Sequence, residues 1–235
     1  MKTILLGAIA LLAGSLIAAD SSPKDDIKSA AKKLAEKSNY SWRTTVESAG
    51  GGGGRGRPGP TEGKTEKDGA TFLSITRGDN TIEAVLKGGK GAVKTADGWK
   101  SLSEAAEGEA GQGNPSRGIA RMLPNFKAPA AQAEDLASKA KELKKTDDAY
   151  AGDLTEDGVK ELLTRGARAG GDAPTVSDAK GSVKFWVKDG VLSKYEFKVQ
   201  GKVNDRDVDR TTTVEIKDIG STKVEVPEGA KNKLS

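Results

Sequence analysis

Histidine and cysteine are both absent from this 235-residue chain, which removes most catalytic chemistry at once. Ser-His-Asp and Cys-His arrangements, histidine bases and the usual zinc and copper ligands all need them. Carboxylates, Lys, Tyr and Ser remain. Acids stand side by side at Asp25-Asp26, Asp147-Asp148 and Glu156-Asp157. General acid–base work needs two carboxyls facing each other across a cleft, about 5–10 Å apart. Adjacent acids are better explained by the positive end of a helix dipole. The expectation is therefore no enzyme, no catalytic residue, no cofactor and no metal site.

Three motifs mimic binding sites. Gly59-Pro60-Thr61-Glu62-Gly63-Lys64-Thr65 has the look of a phosphate loop. It is one residue short between its glycines, and Pro60 removes a backbone donor from the cradle. It reads as a glycine linker running into a polar strand. Asp205, Asp207 and Asp209 alternate as in a calcium loop, but Arg210 stands where the loop needs glycine and Ile216 where it needs a bidentate acid. A polar hairpin tip with local ion pairs is expected instead. Arg55-Gly56-Arg57, with Arg165 and Arg168, has the composition of a disordered nucleic-acid contact. Interleaved aromatics are missing, and the formal charge of +4 is spread among alternating signs, so no nucleic-acid partner is expected.

The elements that must position any site follow from pattern. Lys2, the apolar run from Ile4 to Ile17 and the small pair Ala18-Ala19 read as a signal peptide over 1–19, cleaved at Ala18 or Ala19. The rest, 20–235, reads as one exported domain, periplasmic or extracellular, held without disulfides and expected to be a monomer. Ser22-Pro23-Lys24-Asp25 opens an amphipathic helix with Ile27, Ala30, Ala31 and Leu34 on one face. Asn39–Ser48 alternates as a strand. A flexible glycine-rich loop is predicted at 49–60 and another loop at 166–174. Short strands at 70–77, 81–87, 91–95 and 98–100 suggest an antiparallel meander. Helices are predicted at 116–122, at 129–145 and from Asp153 onward, the last capped by Thr155.

The last third is strands. Asp189-Gly190 makes a hairpin. A two-residue turn would set Phe185 opposite Lys194 and split the apolar face. A three-residue loop of Lys188, Asp189 and Gly190 pairs Val187 with Val191 and Val183 with Tyr195. That register keeps Val183, Phe185, Val187, Val191, Tyr195, Phe197 and Val199 on one face, with Trp186 on the other, beside Leu192. Further strands are expected at Thr212–Ile216 and at Val224–Val226.

"GSVKFWVKDGVLSKYEFKVQGKV", then "RTTTVEIKDIG" and "VEVPEGA", resembles the strand–turn–strand ending of the LolA, LolB and LppX carrier superfamily. "YAGDLTEDGVKELL" and "DGWKSLSE" are similar to stretches of exported proteins from planctomycete- or verrucomicrobium-like bacteria with this ending. The resemblance implies an α+β fold: an open, curved antiparallel sheet, a half-barrel, with three or four helices on its concave face. It also implies a hydrophobic groove for an acyl chain or lipoprotein. The apolar residues placed to line such a groove are Trp42, Phe72, Ile82, Leu86, Phe185, Tyr195, Phe197 and Val214. The chain lacks the acylated cysteine of LolB and LppX and is rich in alanine and glycine. The same fold with a filled core, serving as an interaction module for an envelope protein partner, is the alternative.

Overall fold

The computed structural model describes residues 22–49, 58–107, 115–165 and 173–234. The expected leader at 1–19, most of the glycine-rich loop and residues 166–172 of the second loop lie outside them. The first described element is α1 (Pro23–Ala35). Ser22 caps it by accepting from the Asp25 amide, and Pro23 occupies the first turn, where a missing N–H costs nothing.

Two antiparallel meanders follow. The first is β1 (Asn39–Ser48), β2 (Pro58–Glu66), β3 (Thr71–Arg77), β4 (Asn80–Lys87), β5 (Lys90–Thr95) and β6 (Gly98–Ser101). The second is β7 (Lys144–Lys145), β8 (Tyr150–Asp153), β9 (Val176–Lys188), β10 (Val191–Val203) and β11 (Arg206–Lys217). Between them run α2 (Leu102–Glu107), α3 (Pro115–Met122), a 3-10 turn (Leu123–Asn125) and α4 (Pro129–Lys139). Helix α5 (Glu156–Thr164) interrupts the second meander, and α6 (Glu228–Lys231) closes the chain.

All the strands join one 11-stranded sheet in the order β6-β5-β4-β3-β2-β1-β11-β10-β9-β8-β7. Every pairing is antiparallel, and among the described residues nothing pairs with the outer edges of β6 and β7, so the sheet is unclosed. The fold is α+β, as expected. Its meanders meet at one seam, where β1 pairs with β11 from Ser41↔Lys217 to Ser48↔Arg210.

Helices α1 to α5 all send side chains into the main core, which lies against one face of the sheet. That is more than the three or four expected, because the short α2 was not legible; it buries only Ala105. A smaller cluster of Val85, Ala92 and Ala230 sits on the other face. There Phe72 and Trp99 of the sheet meet Val226 and Leu234 of the C-terminal segment that carries α6. No helix among the described residues is long and apolar enough to cross a membrane.

Four expectations are corrected. The helix predicted over 129–145 ends at Lys139, where Ala140 turns extended and bridges Leu154. The chain then supplies edge strand β7, and Leu143 is buried by that route, which kept the helical period going in the sequence. Strand β2 begins at Pro58, inside the predicted linker, because Pro58 and Thr61 pair with Arg77 and Ile75 across a register shift. Val224–Val226 is irregular and leads into α6.

The fourth concerns the β9–β10 hairpin. The turn has two residues, Asp189 and Gly190, both at positive φ, and Lys188 pairs with Val191. A bulge between Leu192 and Lys194 then advances the register, so Phe185 meets Tyr195 and Val183 meets Phe197. Ser193 fixes the bulge by donating to the Trp186 carbonyl (3.0 Å). The apolar face is continuous as predicted, but the bulge achieves this, and Leu192 rather than Val191 is fully buried.

Candidate functional site

The apolar face of the sheet and the helices above it are the place the sequence marked for binding. Trp42 on β1, Ile82 and Leu86 on β4, Phe185 on β9, Tyr195 and Phe197 on β10 and Val214 on β11 all belong to this layer. Phe72 does not. It alternates with Leu73 on β3 and points to the opposite face, into the cluster under α6.

The layer is closed by the chain's own side chains. The Trp42 ring stacks on Phe126 at 5.9 Å between centroids, and its indole N–H donates to Thr65 Oγ1 (3.1 Å). Phe185 and Tyr195 tilt together at 6.3 Å. The Tyr195 hydroxyl donates to Gln132 Oε1 on α4 (2.6 Å), a polar pin between sheet and helix. Around these stand small helical residues: Ala30 and Ala31 of α1, and Ala130, Ala133 and Ala137 of α4. Small side chains let the helices lie close to the aromatic sheet.

Two surface depressions lie elsewhere. One of about 570 Å³ runs along the outer side of the α1–α4 pair and is lined by Lys28, Lys32, Glu134 and Asp135 among others. One of about 480 Å³ lies at Ser41, Lys64, Asp218 and Lys223. Both are polar-rimmed, and neither touches the apolar layer.

Two phenols in the layer are held protonated. Burial pushes the Tyr40 phenol up to about 12. Burial, and then the neighbouring Tyr40, raises Tyr195 well above the ordinary phenol. Neither can act as a base near neutral pH. Among the described residues no group of three or more acids could hold a metal ion. Asp209, part of the calcium-like run, instead takes Lys198 (3.3 Å) and Gln200 (2.7 Å).

No protein-family model matches the chain, and no curated protein matches its sequence. Among solved structures, the Mycobacterium tuberculosis lipoprotein LppX is similar over 86% of this chain and 97% of its own, with 12% identity and a TM-score of 0.46. LprF from Mycobacterium bovis is similar over 88% and 97%, with 9% identity and a TM-score of 0.45. The fold description rests on the sheet topology itself. The similarity of Tyr150–Leu163 and Asp97–Glu104 to planctomycete-like exported proteins gains no support from these comparisons.

Charge gathers at the α4–α5 end of the layer. Asp135 on α4 receives Lys139 (2.6 Å), Lys127 (3.1 Å) and Arg165 (3.0 Å), and Glu161 shares Lys139 and Arg165. Burial pushes the Asp135 carboxyl up, but the three donors outweigh it and hold the group at about 2. Its folded pKa is depressed, so its contribution to stability is full above the ordinary 3.8 and lost as pH falls toward about 2. The thermal midpoint of Asp135→Asn, followed from neutral pH down to about pH 2, is therefore expected to show a shallower acid limb than the parent. An unchanged acid limb would show that this cluster does not stabilise the α4–α5 junction.

Sequence reading missed four residues here: Phe126, Gln132, Gly63 and Arg210. Gly63 stands under the Trp42 ring, where an added Cβ would come within 2.1 Å of the indole. Arg210 had a visible signal. It shares its strand parity with Thr212, Val214 and Ile216, so it is a cation on the inward side of β11, deeper in the strand than the exposed Arg206 of the same parity.

Proposed function

We propose that this chain is a non-enzymatic, exported binding protein whose ligand is an apolar chain, such as a lipid acyl chain or the acyl part of a lipoprotein. The binding place is the interface between the sheet and helices α1 and α4. One observation carries this reading. The unclosed sheet presents a broad apolar face that helices cover, and α1 and α4 meet it through five alanines together with Ile27, Leu34 and Leu136. Withdrawing these helices leaves a long apolar trough. Polar pins, Tyr195 to Gln132 and Tyr150 to Asp26 (3.2 Å), set the closed position. The lack of histidine and the neutral tyrosines support a role without chemistry.

The second reading, an envelope interaction module with a filled core, is favoured by the Trp42–Phe126 stack and the fully buried Phe185 and Tyr195. Native mass spectrometry after incubation with fatty acids and phospholipids separates the two. The binding reading expects one acyl chain retained per protein and a raised thermal midpoint. A chain that retains none, and whose native-source preparation carries no extractable lipid, would leave the filled-core module.

A further inference from the structure

We propose that Arg210, with Arg165, forms a binding site for an anionic group, a carboxylate or a phosphate, at the α5 end of the helix-covered face. Arg210 pairs with Val199 of β10 and Ser48 of β1, so its side chain leaves the sheet on the same side as the buried Val199. Its Nε is buried and has no hydrogen-bond partner. Its Nη2 donates to the Leu162 carbonyl in the last turn of α5 (3.3 Å). Among the described residues no carboxylate lies within ion-pair distance of it. Burial, and then the nearby Arg165, pulls Arg210 below the usual guanidinium range.

The surroundings are short of negative charge. Lys127, Lys139 and Arg165 share two carboxylates, Asp135 and Glu161, and Arg210 stands near Arg165 with no carboxylate of its own. The helix C-terminus offsets only part of this excess. A buried charge is costly until an opposite charge completes it. A guanidinium with a free Nε–H presents a fork that matches a carboxylate or a phosphate. Arg165 keeps 28% of its side chain exposed, so an anion can arrive from solvent. Beyond Arg210 the layer turns apolar at Val199, Leu162 and Leu163. The group bound is then the head of an anionic amphiphile, an assignment that rests on the apolar-chain reading above.

The test is calorimetry on the full chain with laurate, dodecyl phosphate, uncharged dodecanol and inorganic phosphate. Laurate or dodecyl phosphate is expected to bind at least about tenfold more tightly than dodecanol. Arg210→Gln should lower the charged ligands to the level of dodecanol and leave dodecanol unchanged, and Arg210→Lys should lie between. Binding of inorganic phosphate that Arg210→Gln abolishes supports the site with a free anion as its source. Equal affinities of the parent chain for dodecanol and the charged amphiphiles overturn the anion site and leave the apolar-chain reading standing. Failure of all four ligands to bind overturns both. The comparison on the parent chain decides the matter if Arg210→Gln does not fold.

Discussion

Phe185→Ala is expected to destabilise the folded chain by about 3–5 kcal/mol, read as a lower urea midpoint at unchanged slope. Phe185 is 0% exposed and lies mid-sheet, opposite Tyr195 on one side and Tyr150 on the other. Its removal takes away the apolar burial of a large ring and leaves a void. The void cannot collapse easily, because rigid strands form its floor and the close-packed main core lies over it. The variant also bears on function. An apolar void of this kind stays dry and takes small apolar guests. If the layer is an acyl site, the enlarged space should accept a longer or branched chain. A loss below about 1 kcal/mol would mean that the layer above Phe185 is already loose.

Gly63→Ala carries the second large effect, about 1–3 kcal/mol of destabilisation or more. Its new Cβ would lie 2.1 Å from two indole carbons of Trp42, a distance no real contact allows. Trp42 cannot swing aside without breaking its stack on Phe126 and its bond to Thr65. Near-UV circular dichroism should report the displaced indole, and the thermal midpoint the cost. Gly118→Ala is the matched control. Nothing lies within 4 Å of its added Cβ, and it sits inside helix α3, so a gain of up to about 1 kcal/mol is expected. Equal midpoints for both variants would show that Trp42 is not fixed over Gly63.

Much of the architecture was legible because alternation and capping are local. Thr155 is followed by acids and accepts from the Gly158 amide (3.1 Å), and the helix starts where those residues say. The hairpin shows the limit. Apolar alternation correctly demanded that Phe185 and Tyr195 share a face, but a longer turn and a bulge satisfy it equally. The choice between them lies in Ser193 bonding to Trp186, a contact between residues on different strands. Strand β7 was hidden for a related reason. Lys144 and Lys145 carry no strand signal, and only the partner strand β8 makes them one. The lining residues named from the sequence, Phe72 apart, lie in the apolar layer because burial parity is readable once a strand is found. The layer's closure was not readable: Phe126 comes from an irregular segment after the 3-10 turn, and Gln132, though on a predicted helix, lies off that helix's alanine and leucine stripe.

The seam between β1 and β11 gives the sheet an unusual relation to its own chain. Read across the sheet, the strands follow sequence order from β7 to β11 and again from β1 to β6. The fold is thus a plain up-and-down ribbon whose numbering has been rotated. A permuted chain opened between α2 and α3, with its old ends tied by a linker, would visit its strands in unbroken succession. Nearly all remote pairing in the native order is concentrated in that single junction, and closing it is the entropic hurdle that the rotation would remove.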